Sequence, residues 1–168
     1  QPIEALAEAD QATRDKAMTS LVALVLRELF AFGVMQTDPN FANYRWQPDT
    51  NRLVLLDFGA SRTVPPETAA AYRGLIEAGL ARDLDRVRDI AIATGFIGAQ
   101  AANAHRPAVD RMIAAIDQAL HRLGPFDFGD RAFVPVVREE ARRMIDDRAT
   151  WHVPDVETLF VQRKVSGT

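Results

Sequence analysis

Cysteine is absent from this 168-residue chain, which excludes a disulfide framework, a thiolate zinc site and a cysteine nucleophile. That suits a reducing compartment. Basic charge is not in excess either: 20 Lys and Arg against 23 Asp and Glu leave a formal net charge of -3, without the positive field that condenses onto nucleic acid. No nucleic-acid partner is expected. The longest apolar stretch, Leu21 to Met35, is interrupted by Arg27 and Glu28 and falls short of a membrane span. No basic segment followed by an apolar one opens the chain, so no signal peptide is visible. Lysine is almost missing too. Lys16 and Lys164 are the only two, neither in a strand-like V-A-I-K setting, and no glycine-rich phosphate loop occurs. The chain starts at Gln1 rather than Met, and Val156 to Thr168 break off inside a helical pattern, so both ends read as cut.

With 48% hydrophobic and 26% charged residues, residues 1–168 have ordinary globular composition and the length for one core, hence one domain. From Thr13 onward Met18, Leu21, Val22, Val25, Leu26, Leu29 and Phe32 recur at helical spacing, with Leu24 and Phe30 widening the apolar face. Apolar residues nearly all round predict a central, buried helix that closes near Gly33. Asp38-Pro39 and Asn40 then force a loop over 36–43, because the residue before proline disfavours helix. Tyr44-Arg45-Trp46 and Leu53-Val54-Leu55-Leu56 flank a polar stretch with Pro48, Asp49 and Asn51, which predicts a small hairpin ending at Asp57-Phe58-Gly59. Beyond Pro65 helices are expected at roughly 66–80, 83–94, 106–123, 131–147 and 154–168. Asp83 and Pro107 act as start signals, Gly95 and Gly124 as stops. The fold class is mainly α with a small β-hairpin.

Two short strings carry chemistry together. Residues Asp38 to Asn43 have the form D-x-x-x-x-N, and Asp57-Phe58-Gly59 follows across the hairpin. Phosphoryl transfer asks a protein for metal ions on the phosphates and a group that orients the attacking oxygen. Aspartate and asparagine oxygens are hard ligands suited to Mg²⁺. Asn43 and Asp57, on either side of a hairpin, can converge on one ion and leave Asp38 facing the acceptor. A lone Asp-Phe-Gly says little, and the chain holds its own control at Asp127-Phe128-Gly129, which no strand or D-x-x-x-x-N precedes. Only the first copy has helix, loop, strand, turn, strand and Asp-Phe-Gly in order, the layout of a kinase catalytic loop and metal motif.

The runs Leu26-Arg27-Glu28-Leu29-Phe30, Met35-Gln36-Thr37-Asp38-Pro39-Asn40 and Leu53-Val54-Leu55-Leu56-Asp57-Phe58-Gly59-Ala60-Ser61-Arg62 closely resemble the UbiB (aarF-domain, ABC1) atypical kinase family, above all its mitochondrial and α-proteobacterial-like branch. Pro125-Phe126-Asp127-Phe128-Gly129 and Gln162-Arg163-Lys164-Val165-Ser166-Gly167 resemble the same branch. The resemblance implies the C-terminal lobe of a protein-kinase-like fold, with Asp38 as the catalytic aspartate and Asn43 and Asp57 as cofactor-binding metal ligands. Mg²⁺ and ATP are the implied cofactors. An isoprenoid lipid and quinone-biosynthesis proteins are the implied partners, and the location is cytoplasmic, peripheral at the inner membrane. The missing N-lobe would hold an alanine-rich nucleotide loop, the phosphate lysine and a K-x-G-Q motif. The chain alone is therefore expected to be inactive and to bind ATP weakly. One departure is that Gln36-Thr37 stand where protein kinases carry His-Arg, so no arginine is there to read a phosphorylated activation loop.

Other polar residues carry less. Asp38 and Asn40 alone would be turn formers. His105, His121 and His152 lack ligand spacing. Trp46, Phe96, Phe133, Trp151 and Phe160 are expected in core packing, and Arg138 to Arg143 as a solvated helix face. Ser61 and Arg62 suit phosphate contact or plain surface placement equally. The six residues 60–65 are too few for the long segment that presents a peptide substrate. Three functions remain open: a kinase-like ATPase or phosphotransferase of ubiquinone biosynthesis, a small-molecule phosphotransferase, and a non-catalytic nucleotide-binding scaffold.

Overall fold

A computed structural model of the chain describes residues 1–124, 126–127, 129–147 and 156–167. Trp151 and His152 lie outside the described residues, as does Phe128 of the second Asp-Phe-Gly. The chain is mainly helical with short antiparallel strands, and it divides into two compact units, Gln1–Ala69 with Val156–Thr168, and Ala70–Asp155.

In the first unit a 3₁₀ turn (Ile3–Glu8) leads to helix α1 (Gln11–Arg27). Asp10 caps α1, its carboxylate accepting the Thr13 N–H at 2.9 Å. Ala17, Leu21 and Val25, spaced by four, are buried along one stripe. The helix then widens to a π-turn over Glu28–Phe32, a deformation that recurs at functional sites. Gly33 closes it in the left-handed conformation, φ 63°, as expected. The expected all-round burial is corrected: Leu26 and Phe32 are 43% and 60% exposed, so α1 buries a stripe rather than its whole circumference.

Two ladders follow, one nested inside the other in sequence. Strands β1 (Val34–Gln36) and β4 (Ser61–Thr63) pair antiparallel, Met35 opposite Arg62. Between them lies the expected hairpin of β2 (Tyr44–Gln47) and β3 (Arg52–Leu55), with Trp46 opposite Leu53 and Asn51 at φ 50° in the turn. Tyr44 and Trp46 point inward and pack with Ile3, Leu6, Ala17 and Leu21 as the core of this unit. Trp46 is 1% exposed, as its core role requires. Phe160, on helix α7 (Val156–Gly167), is half-buried beneath the Arg62 guanidinium, 3.8 Å from ring centroid to Cζ.

The second unit is all helix: most of α2 (Pro66–Leu80), then α3 (Leu84–Ala93), α4 (Ala99–Ala104), α5 (Arg106–Leu120) and α6 (Val134–Asp146). α2 keeps the expected bounds, and Asp83 caps α3 by accepting the Arg86 N–H at 3.0 Å. Its buried positions are mostly alanine, Ala78, Ala91, Ala101, Ala102 and Ala108 with Val109, and Phe96 packs edge-on against Tyr72 at 5.0 Å. Two bidentate ion pairs tie helices here. Arg82 reaches Asp117 of α5 at 2.7 and 3.3 Å, and Arg111 reaches Glu140 of α6 at 2.8 Å through both nitrogens. Glu140 therefore corrects the solvated-face reading of Arg138 to Arg143: it is 6% exposed and paired. His105 meets Asp147 at 2.9 Å and His121 meets Asp117 at 3.0 Å, satisfied rather than ligating.

Candidate functional site

The site is built where β1 ends and β3 ends. Beyond β1 the chain turns through Thr37, whose N–H and hydroxyl both donate to the Ala60 carbonyl, at 3.1 and 2.8 Å. This clamp holds the start of the D-x-x-x-x-N loop against the end of the Asp-Phe-Gly segment. Asn40 performs the turn chemistry expected of it, its side chain accepting the Ala42 N–H at 3.0 Å and capping a 3₁₀ turn over Phe41–Asn43. That turn aims Asn43 back along the loop, and its carboxamide donates to the Asp38 carboxylate at 2.9 Å. Asn43 also accepts the Leu56 N–H on its backbone carbonyl at 2.9 Å, one residue before Asp57.

Gln36 joins the two halves. Its carboxamide oxygen accepts the Asp38 N–H in a short bond, and its nitrogen donates to the Asp57 carbonyl at 3.1 Å. Gln36 itself is 2% exposed, and both bonds are partly buried. Behind it stands Glu28, whose Oε1 accepts the Gln36 N–H at 3.1 Å. Burial pushes the Glu28 carboxyl up, with the Gln36 N–H and the Lys164 ammonium opposing. Lys164 of α7 is wholly buried, 3.9 Å from Glu28 Oε2, and donates to the Tyr44 hydroxyl in a short bond. Burial lowers the Lys164 pKa, while Glu28 and Asp38 raise it. Burial, then Glu28 and Asp38, push the Tyr44 phenol up to about 12.

Of the three residues singled out from sequence, Asp38 and Asn43 are directly bonded. Asp57 joins them through the main chain: its carbonyl accepts from the Gln36 side chain, and Leu56 before it donates its N–H to the Asn43 carbonyl. The Asp57 side chain is exposed and its Oδ1 accepts the Gly59 N–H at 2.7 Å. The second copy shows how little that turn means by itself: Asp127 accepts the Gly129 N–H at 2.8 Å in the same way, in a loop between α5 and α6. What distinguishes Asp57 is its tie to Gln36. Arg62, considered for phosphate contact, stacks on Phe160.

Sequence reading overlooked Gln36, Glu28 and Lys164 as parts of the site. Glu28 was open to detection, since it falls three residues after Val25 and seven after Leu21, on the buried stripe of α1. Lys164 carried no such signal.

The oxygens left to Asn43 and Asp57 are of the kind a hard cation takes. With its nitrogen turned to Asp38, Asn43 keeps Oδ1 as an acceptor, and Asp57 keeps a carboxylate oxygen beyond its turn. Among the described residues no three His, Asp or Glu side chains converge, so any ion here would draw its other ligands from water or a bound phosphate. No helix among them is long and apolar enough to cross a membrane.

The ABC1 atypical kinase-like domain matches residues 1–91, which include Asp38, Asn43 and Asp57. The zebrafish (Danio rerio) protein named atypical kinase COQ8B, mitochondrial, is 32% identical over 99% of this chain and 26% of its own length. Its rat (Rattus norvegicus) namesake is 34% identical over 99% of this chain and 31% of its own. The Saccharomyces cerevisiae atypical kinase COQ8, mitochondrial, is 29% identical over 96% and 32%. The chain thus spans about a quarter to a third of the length of the curated relatives it matches.

Proposed function

Since this chain belongs to the ABC1 atypical kinase-like family, we propose that it is the C-terminal lobe of a Mg-ATP-dependent kinase-like enzyme, with both compact units in that one lobe. Asp38 orients the attacking hydroxyl or water, and Asn43 and Asp57 hold Mg²⁺. The observation that carries the reading is the Gln36 carboxamide, which ties the backbones of Asp38 and Asp57 together while Asn43 bonds to Asp38. Such a tie fixes two acids at separate tasks without lending either its own charge. Mg²⁺, when bound, would supply charge neutralisation on the phosphates. The chain's own part is orientation.

α2 begins at Pro66, and only Ala60, β4, Val64 and Pro65 stand between the Asp-Phe-Gly segment and that helix. This supports an acceptor other than a peptide, or water, and weighs against an ordinary protein kinase. Leu56 and Phe58, on either side of Asp57, are 53% and 63% exposed. We assign that apolar rim to contact with the nucleotide-gripping lobe supplied by the rest of a longer protein. From the family resemblance we place the enzyme in ubiquinone biosynthesis, peripheral to a membrane, with an isoprenoid lipid and other biosynthetic proteins as partners. Three relatives are mitochondrial by name, which fits an inner-membrane setting.

The deciding experiment compares two variants of the full-length protein. Asp57→Asn is expected to weaken Mg-dependent nucleotide binding and ATP hydrolysis together, whereas Asp38→Asn should reduce hydrolysis and largely spare Mg-ATP affinity. Parental turnover in Asp38→Asn would remove Asp38 from the catalytic role, and a full-length parent that binds Mg-ATP without hydrolysing it would replace this reading with a nucleotide-binding scaffold.

A further inference from the structure

We propose that Lys164, on the last helix, is a positioning residue for the Asp38 loop, acting through Glu28 and Gln36. This rests on the roles given above to Asp38 and Asp57.

Of the two lysines in the chain, Lys16 is exposed on α1, while Lys164 has no exposed surface. An ammonium is not buried without compensation. Its neighbours include the Tyr44 hydroxyl, which accepts from Nζ, the Tyr44 ring 4.9 Å away, and the Glu28 carboxylate at 3.9 Å. Glu28 needs the lysine as much as the reverse. Its Oε2 is buried with no hydrogen-bond partner among the described residues, and its Oε1 is committed to the Gln36 N–H. With Lys164 removed, an uncompensated buried carboxylate would press directly on the residue that holds both acids. The contacts then run without a gap from Lys164 to Glu28, to Gln36, and from Gln36 to the backbones of Asp38 and Asp57.

A pair of large apolar side chains would brace α7 at lower desolvation cost, because a buried ion pair adds little or nothing to stability. What the charged pair adds is dependence: the buried Glu28 Oε2 has its countercharge from α7, while Oε1 accepts the Gln36 N–H. The neighbouring Arg163 reinforces the arrangement, its guanidinium 3.7 Å from the Asp38 carboxylate, though that contact is exposed and weak. α7 therefore places Arg163 beside the Asp38 carboxylate and the consecutive Lys164 beside Tyr44 and Glu28, 120 or more residues away in sequence.

The test uses the full-length protein carrying Lys164→Met, Glu28→Gln, or both, with ATP hydrolysis expressed per folded molecule. Lys164→Met is expected to lower kcat about ten- to a hundredfold, since the orientation of Asp38 is lost, with KM for Mg-ATP within about twofold of the parent. The double variant leaves no unpaired charge and should recover most of kcat. Hydrogen exchange gives a second readout: the Asp38 amide, bonded to Gln36, should exchange faster in Lys164→Met while amides of the β2–β3 ladder keep their protection. Parental kcat and unchanged Asp38 exchange in Lys164→Met would overturn the proposal, as would activity lost only in proportion to the unfolded fraction. A double variant as impaired as the single one would overturn the route through Glu28. Asp38→Asn run alongside separates the failures: if it is fully active, the reading of the loop fails, and if it is inactive while Lys164→Met is not, only the role of Lys164 fails.

Discussion

Asn43 donates a carboxamide hydrogen to Asp38 across 2.9 Å, so a proposed metal ligand and the proposed catalytic carboxylate fix each other's orientation. Neither can rotate without losing a bond that also keeps Asn43 Oδ1 turned away from Asp38.

Asn43→Ala removes both the bond and the ligand. The Mg²⁺ concentration for half-maximal ATP hydrolysis by the full-length protein should rise about 10- to 100-fold, the range seen when metal-site support is removed. A Mg²⁺ titration of parent and variant reads this directly, and overlapping curves would exclude Asn43 as a ligand.

Gln36→Met keeps the volume of a buried side chain and deletes its two polar contacts. The Asp38 N–H and the Asp57 carbonyl are left without that partner, at a cost of about 1–3 kcal/mol. Denaturant unfolding should show that loss, and hydrolysis well below the unfolding midpoint should fall as well. A destabilised variant with undiminished turnover would reduce Gln36 to packing.

Asp127 gives the internal control, since it makes the same turn to its glycine as Asp57 does but has no Gln36 behind it. Asp127→Ala should leave Mg-dependent hydrolysis within about twofold of the parent, while Asp57→Ala abolishes it. Equal losses would show that the tripeptide alone, not its setting, carries the effect.

Acid should loosen the helical unit through its two bidentate pairs. The Arg82 guanidinium holds Asp117 below the usual carboxylate range, and Arg111 does the same for Glu140, with burial opposing in each case. A carboxylate with a lowered folded-state pKa stabilises fully above its unfolded value, and that stabilisation is lost as pH falls through the folded one. The thermal midpoint should therefore drop as pH falls below about 4. Glu140→Gln, which takes up no proton, should flatten that drop. A slope identical to the parent's would mean the pair does not contribute.

Much of this fold was legible because it is local. Pro66 to Leu80, the Asp83 cap, the Gly33 stop and the Tyr44–Leu55 hairpin each declare themselves within a few residues. The misses share a cause. β1 and β4 are three residues each, too short for a period, and Ser61-Arg62-Thr63 is polar, so nothing announced that they pair. α4, with the sequence Ala99-Gln100-Ala101-Ala102-Asn103-Ala104, has helix-forming residues but no apolar stripe. Glu140 looked like one charge among many until Arg111, 29 positions away, was found beside it. For the site, the motif named Asp38, Asn43 and Asp57, but Lys164 lies 120 residues from Tyr44, and no spacing rule reaches that far.

The nesting of one ladder inside the other has a consequence for variation. Thr37 and Ala60 are clamped together, so everything between them is a closed excursion whose far tip, Pro48 to Asn51, is exposed. Lengthening such a loop costs little, about 0.6 kcal/mol for each doubling. The tip is thus a natural port for grafts: a fluorophore, an affinity peptide or an inherited insertion placed there would ride on the hairpin while the geometry of the acids at its base stays as it was.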